Sequence, residues 1–196
     1  MSGDEELLGA ARSGDEAAFA ALVARYHGRL VGVARSVLGR RDLAEDVAQD
    51  TWMAVLRGLD GFEGRSSFRT WLFRICVHRA RSSAAKEHRS IPFDPQEPGV
   101  EARWFGPDGA WAAEVQPWTE QSEDKVVAAA LVPLVRQAID SLPDAQRVVV
   151  ILRDIEGLSS AEVCDVLSIT EGNHRVLLHR GRNHVRAALD RHLKGR

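Results

Sequence analysis

Five of the seven prolines fall within one stretch, Ser90 to Lys125, which reads "SIPFDPQEPGVEARWFGPDGAWAAEVQPWTEQSEDK". Proline has no amide hydrogen for the helical ladder and its ring collides with the preceding turn, so this stretch does not continue a helix. On both sides of it apolar residues recur at three- and four-residue spacing, and no run alternates over the length of a strand. The pattern predicts an all-α fold: two small helical domains, residues 14–89 and 131–193, joined by a linker over residues 90–130. A chain of 196 residues can give each domain a modest core of its own.

Several functional classes are excluded at this stage. No apolar run approaches the ~18 residues of a membrane span, so no membrane insertion is expected. The N-terminus, "MSGDEELLGAARSGDEAAF", is acidic and lacks the basic start and apolar stretch of a signal peptide, so a cytoplasmic protein is expected. Cys76 and Cys164 stand far apart with no ligand-spaced neighbour, and read as small buried apolar residues. His174, His179 and His184 are spaced by fives, about 140° per step around a helix, which scatters them rather than building a metal site. No glycine-rich phosphate loop or nucleophile motif is present, so a hydrolase finds no support, and no cofactor is expected.

The formal net charge of -2 conceals a segregated pattern. Residues 14–89 carry 13 basic against 9 acidic side chains and residues 126–196 carry 10 against 8, whereas Ser90–Lys125 carries 2 against 8. Two mildly basic domains flanking an acidic connector suit a protein that touches a polyanion with its domains and not with its linker. Trp104, Trp111 and Trp118 recur every seventh residue inside the connector. Aromatic rings are costly to leave in water, so they are expected to dock on something.

Near the C-terminus, "LSSAEVCDVLSITEGNHRVLLHRGR" has the grammar of a helix-turn-helix. Ser159 and Glu162 form a capping box, Val163, Val166 and Leu167 give the first helix its buried side, and Thr170 can cap the second helix. On that second helix Leu177, Leu178, Gly181, Val185, Ala188 and Leu189 make one apolar stripe, with Gly181 allowing close approach. Arginines occupy the other faces. Such a helix can lie in a major groove, its tip at base edges and its arginines on phosphates, although a basic surface helix of a helical bundle has the same pattern. Upstream, Val148, Val149, Ile151 and Leu152 supply a preceding helix stopped by Gly157.

In the first domain, Ala48, Thr51, Trp52, Val55 and Leu59 project to one side of a helix, and Asp46, Gln49, Asp50, Met53 and Arg57 to the other. An acidic face is thereby offered to a partner or to solvent. Gly61 and Gly64 then break the chain, and Ser66 or Ser67 can cap the next helix. That helix buries Phe68, Trp71, Leu72, Ile75 and Cys76, while Thr70, Arg74, His78 and Arg81 share another side that could follow a nucleic-acid backbone.

Taken together, "LAEDVAQDTWMAVLRGLDGFEGRSSFRTWLFRI" and "LPDAQRVVVILRDIEGLSSAEVCDVLSITEG" resemble a bacterial sigma-70 family factor of the extracytoplasmic function (ECF) group. The resemblance spans nearly all of both domains, in order. It implies an alternative sigma factor, not an enzyme, that binds core RNA polymerase and directs promoter recognition, strand opening and transcription initiation. It assigns Asp46, Gln49, Asp50 and Met53 to core polymerase. It assigns Arg65, Ser66, Ser67, Arg69, Arg74, His78 and Arg81 to melted minus-10 DNA. Thr170, Glu171, Asn173, His174, Arg175, Arg180 and Arg182 fall to duplex minus-35 DNA.

The resemblance also implies that the linker threads toward the polymerase cleft, and that an anti-sigma factor is a candidate further partner. Two departures stand out. Ser168 occupies a turn position where the family often has glycine, so strain or a reshaped turn is expected there. The run "NHRVL" replaces a more usual Thr-Val-Lys-Ser-Arg-like sequence. Pro133 places the start of the second domain's first helix as late as Val132. The rival reading is a stand-alone DNA-binding regulator, which has no need of an acidic docking face in its first half.

Overall fold

The structure, a computed structural model, describes residues 3–86 and 125–194. Most of the expected linker, with Trp104, Trp111 and Trp118, lies outside the described residues. The described regular elements are helical. In chain order they are α1 (Asp4–Arg12), α2 (Glu16–Leu38), α3 (Arg41–Gly58), α4 (Phe68–Lys86), α5 (Lys125–Asp140), α6 (Asp144–Val150), α7 (Ser160–Leu167) and α8 (Glu171–Lys194). A π-helical segment, Ile151–Ile155, continues α6.

The first half is organised around α2. Asp15 starts it by accepting from the Ala17 and Ala18 amides at 2.9 and 3.1 Å, which satisfies donors the helix leaves open. Leu22, Tyr26, Leu30, Val33, Ala34 and Val37 then bury one face, packed by α1, α3 and α4. Leu8 joins this core from α1, so the bundle extends upstream of the expected boundary at residue 14. The burial pattern of α3 follows its periodicity: Ala48, Thr51, Trp52, Val55 and Leu59 are buried, and Asp46, Gln49, Asp50, Met53 and Arg57 are exposed.

In the second half, α7 begins with the expected reciprocal cap. The Glu162 amide donates to the Ser159 hydroxyl, and the Ser159 amide donates to the Glu162 carboxylate. Gly181 brings α8 against α6 so closely that a Cβ there would stand 2.6 Å from Val150 Cγ2. One expectation fails: α5 begins at Lys125, not at Val132, and carries Pro133 inside it. Pro133 has no amide hydrogen to donate to the preceding turn, so α5 runs through it with one ladder bond missing.

The two halves are not separate bodies in this structure. Val149, Leu152, Leu158, Val163, Val166 and Leu167 belong to the same buried apolar cluster as Leu30, Val33, Phe73 and Val77. The closure packs α7 on α4 and α6 on α2.

Candidate polymerase and nucleic-acid interfaces

The exposed side of α3 combines charge with apolar surface. Asp46, Gln49 and Asp50 project outward, and Met53 and Leu56 are each 49% exposed one turn further on. Met53 and Leu56 give this otherwise charged face an apolar component. Between α3 and α4 runs a groove of about 530 Å³ lined by Leu43, Asp46, Asp50, Ile75, His78 and Arg79, among others. His78 therefore lies on the α3 side of α4, with the acidic residues, and not with Arg74 and Arg81 as its spacing had suggested. Four residues along a helix turn about 40° beyond a full circle, enough to carry His78 over the edge of the face.

The opposite edge of α4 begins at Ser67, whose hydroxyl accepts from the Thr70 amide at 3.1 Å and caps the helix. The side chains that follow it meet α7 and the turn before it. Thr70 is buried, and its hydroxyl donates to Glu162 Oε1, which also lies 3.4 Å from the Ser67 hydroxyl. This bond from Thr70 holds the Glu162 carboxyl down to about 2, against the opposing effect of burial. Arg74 donates to both oxygens of Asp165 at 2.9 and 3.0 Å. Arg69 reaches the carbonyls of Glu156 and Gly157 at 3.2 and 3.4 Å, and Arg81 reaches that of Leu167 at 2.9 Å. Arg65 and Ser66 stay on the preceding loop, Arg65 paired with Glu63 at 3.2 Å and largely exposed.

That loop is held from an element absent from the sequence-based assignments. Arg12, at the end of α1, donates to the Leu59 carbonyl at 3.0 Å and to that of Phe62, and its guanidinium lies 5.7 Å from the Phe62 ring centroid. It is the one basic residue among the first 13, a thin signal but a visible one. Glu162 and Asp165 were missed as well, because their partners lie more than 90 residues away in the chain.

The tip of α8 is divided. Thr170 caps it, its hydroxyl accepting from the Asn173 amide at 3.2 Å, and Thr170, Glu171 and Arg175 are exposed. Asn173 and His174 are buried, at 8% and 2% exposure, which corrects their expected position at base edges. The apolar stripe explains it, for position 174 precedes Leu177, Leu178 and Gly181 by three, four and seven residues and so falls on the inward face. Arg182, expected on phosphate, makes a two-pronged pair with Asp154 at 2.6 and 3.0 Å. The helix-turn-helix turn itself places Ser168 in the left-handed region, at φ 54° and ψ 48°. The turn keeps the geometry glycine would have favoured and accepts the strain.

Comparison with known proteins matches residues 22–90 to the family profile described as Sigma-70 region 2, and residues 134–185 to that described as Sigma-70, region 4. The chain is 30% identical over 186 residues to the RNA polymerase sigma-H factor of Pseudomonas aeruginosa, covering 95% of this chain and 93% of that protein. It is also 30% identical over 182 residues to the ECF RNA polymerase sigma-E factor of Escherichia coli, covering 93% and 92%. Among solved structures, CnrH in complex with the cytosolic domain of CnrY superposes with a TM-score of 0.59 at 27% identity, over 95% of this chain and 97% of that one. RpoE in complex with the anti-sigma factor NepR from Bartonella quintana shares the fold, with a TM-score of 0.59 at 23% identity over 88% and 96%. With both halves matched in order, and relatives aligned over nearly the whole length, the chain belongs to the sigma-70 family, in its ECF group of alternative sigma factors that direct transcription initiation.

Proposed function

We propose that this sigma factor docks on core RNA polymerase through Asp46, Gln49, Asp50 and Met53, with Leu56 extending the surface. The melted minus-10 strand is then held by Arg65, Ser66, Ser67, Arg69, Arg74 and Arg81, and duplex minus-35 DNA is met by Thr170, Glu171, Arg175 and Arg180. Residues 14–89 and 131–193 act as the two promoter-binding units, the first extended to include α1. His78 moves from the DNA set to the margin of the polymerase face. The observation that carries this reading is the division of the first bundle: an acidic and apolar surface on α3, and a separate basic row on α4.

A sigma factor of this kind has no chemistry of its own, and the catalytic metals belong to polymerase. The work is done where polymerase is, in the cytoplasm, and no described helix is long and apolar enough to cross a membrane. Binding at the minus-35 element weakens steeply with salt, because arginines that neutralise phosphates release counterions. An anti-sigma factor would find its opportunity at the junction of the domains, where the DNA-facing side chains of α4 are concentrated.

The test is run-off transcription with purified core polymerase on a promoter library, comparing the native chain with Asp46→Ala/Gln49→Ala/Asp50→Ala. Promoter-specific transcripts that disappear in the triple variant support docking through α3. Transcripts that persist would move the docking surface elsewhere. No transcripts from either, with duplex DNA still bound by the protein alone, would favour a stand-alone regulator.

A further inference from the structure

In the loop between α3 and α4, the segment Glu63 to Ser66 makes no backbone–backbone hydrogen bond among the described residues. The segment that carries Arg65 and Ser66 therefore takes its position from its two ends. At the α4 end Ser67 caps the helix, its hydroxyl accepting from the Thr70 amide. At the α3 end the chain turns through two backbone bonds, from the Gly61 amide to the Gly58 carbonyl at 3.1 Å and from the Phe62 amide to the Leu59 carbonyl at 3.3 Å. The Phe62 ring packs 4.8 Å from that of Trp71 and 6.4 Å from that of Phe68, centroid to centroid.

The main chain of Phe62, as distinct from its ring, is fixed by Arg12. The Arg12 guanidinium donates to the Leu59 carbonyl, one of those the end of α3 leaves open, and to the Phe62 carbonyl beyond the turn. A cation is favourable at a helix C-terminus, and the planar guanidinium holds its two acceptors in one geometry. Arg12 is exposed, so burial does not force these bonds on it. Its carrier, α1, is anchored at the far end, where Asp4 accepts from the Arg25 guanidinium and from the Tyr26 hydroxyl, and in the middle by buried Leu8. A cleft of about 820 Å³, lined by Glu5, Glu6, Ser66 and Ser67 among others, lies between α1 and the loop, and Arg12 bridges it. Helix α1 is thus a strut that α2 holds at one end and that holds the loop at the other. The family profile matched to the first half begins at residue 22, past this strut.

We propose that Arg12 is a positioning residue for promoter opening: by clamping the Leu59 and Phe62 carbonyls it sets where residues 63–66 stand, and so presents Arg65 and Ser66 to the melted strand. Without Arg12 the Phe62 ring keeps its place in the aromatic cluster while the main chain beside it is free to swing. Ordering of the segment is then left to the moment of strand capture, which bears the entropic cost. The inference rests on the assignment of Arg65 and Ser66 to the minus-10 strand.

The experiment uses the full-length chain with core polymerase on a promoter recovered from the run-off library, with 2-aminopurine in the minus-10 segment reporting strand opening. Arg12→Ala should leave core affinity and the melting temperature of the chain nearly unchanged but slow opening about tenfold, the worth of one hydrogen bond to a charged group. Arg12→Lys, which keeps the charge and reaches one carbonyl, should restore part of the rate. On a template whose minus-10 segment is already unpaired, the defect should persist as faster release of the strand, because Arg12 serves capture. In an Arg65→Ala/Ser66→Ala background the effect of Arg12→Ala should largely vanish, since the side chains it positions are gone.

Three results would overturn the proposal, and they differ in what else they remove. A lowered melting temperature in Arg12→Ala and Arg12→Lys, with core binding and opening reduced alike, would make Arg12 a residue of the fold alone. Opening unchanged by Arg12→Ala but slowed by Arg65→Ala/Ser66→Ala would discard the strut and leave the loop assignment standing. Opening unchanged in both would discard the loop assignment along with it.

Discussion

His174 has both ring nitrogens buried and without a partner, an arrangement a protein keeps at a cost. Burial, and then the nearby positive charges of Arg153, Arg182 and Arg175, push its pKa below the ordinary 6.5, and only Asp154 pulls the other way. A histidine depressed in the folded state stabilises fully above its unfolded pKa. Below that value the unfolded chain takes up a proton that the folded chain refuses, and stability falls with pH. Replacing the ring by a side chain with no polar atoms removes both penalties. His174→Leu should raise the free energy of unfolding by about 1 to 2 kcal/mol near neutrality. The gain should widen toward pH ~5.5, where only the native protein carries the titrating group. Urea titrations at the two pH values measure this, and an equal acid sensitivity in both proteins would show that His174 is not the group responsible.

At the scale of elements, the turn between α7 and α8 carries the chain's most specific local strain. Ser168 is the one described residue other than glycine with a positive φ, in a conformation that brings Cβ close to the following carbonyl at a cost of about 1 to 2 kcal/mol. Glycine would escape that cost but loses about 0.5 to 1 kcal/mol through the freer unfolded chain. Ser168→Gly should therefore raise stability only slightly, whereas Ser168→Val, with its branched Cβ, should lower it by more than 1 kcal/mol. A shift of the urea midpoint without a change of slope would register both effects as changes of stability. The sequence made this turn legible because departure from glycine at one position is a local fact, and the faces of α3 were legible because one period governed the whole helix. Elements that depend on more than period were harder. Nothing in "ILRDI" announces a π-helical segment, Pro133 argued for a later start than α5 takes, and the stripe on α8 was begun one turn too late to include His174.

At the scale of the molecule, the composition displayed two basic domains but not the fact that they close on each other, because that depends on pairings between residues distant in the chain. Charge sorted by segment is blind to an acidic pair on α7 that matches a basic row on α4. The most buried of the pairings across the halves is Arg29 to Glu156, at 2.6 Å, with the Glu156 side chain 6% exposed. Arg29 also lies 5.1 Å from the Tyr26 ring centroid and 5.8 Å from that of Phe73, so it is held by the first bundle whether or not Glu156 is present. Removing Arg29 leaves a carboxylate buried without its countercharge, at a cost of about 3 to 5 kcal/mol while the halves stay closed. Parting the halves returns Glu156 to water and avoids that cost, at the expense of exposing the apolar residues they share. Calorimetry should accordingly show one cooperative unfolding transition for the native chain, in which both halves melt with their common core. Arg29→Ala should split it into two, the less stable half melting first. A single transition merely displaced to lower temperature would mean that Leu152, Val163 and Val166 hold the halves together unaided, and that the ion pair only orients a contact the apolar core has already made.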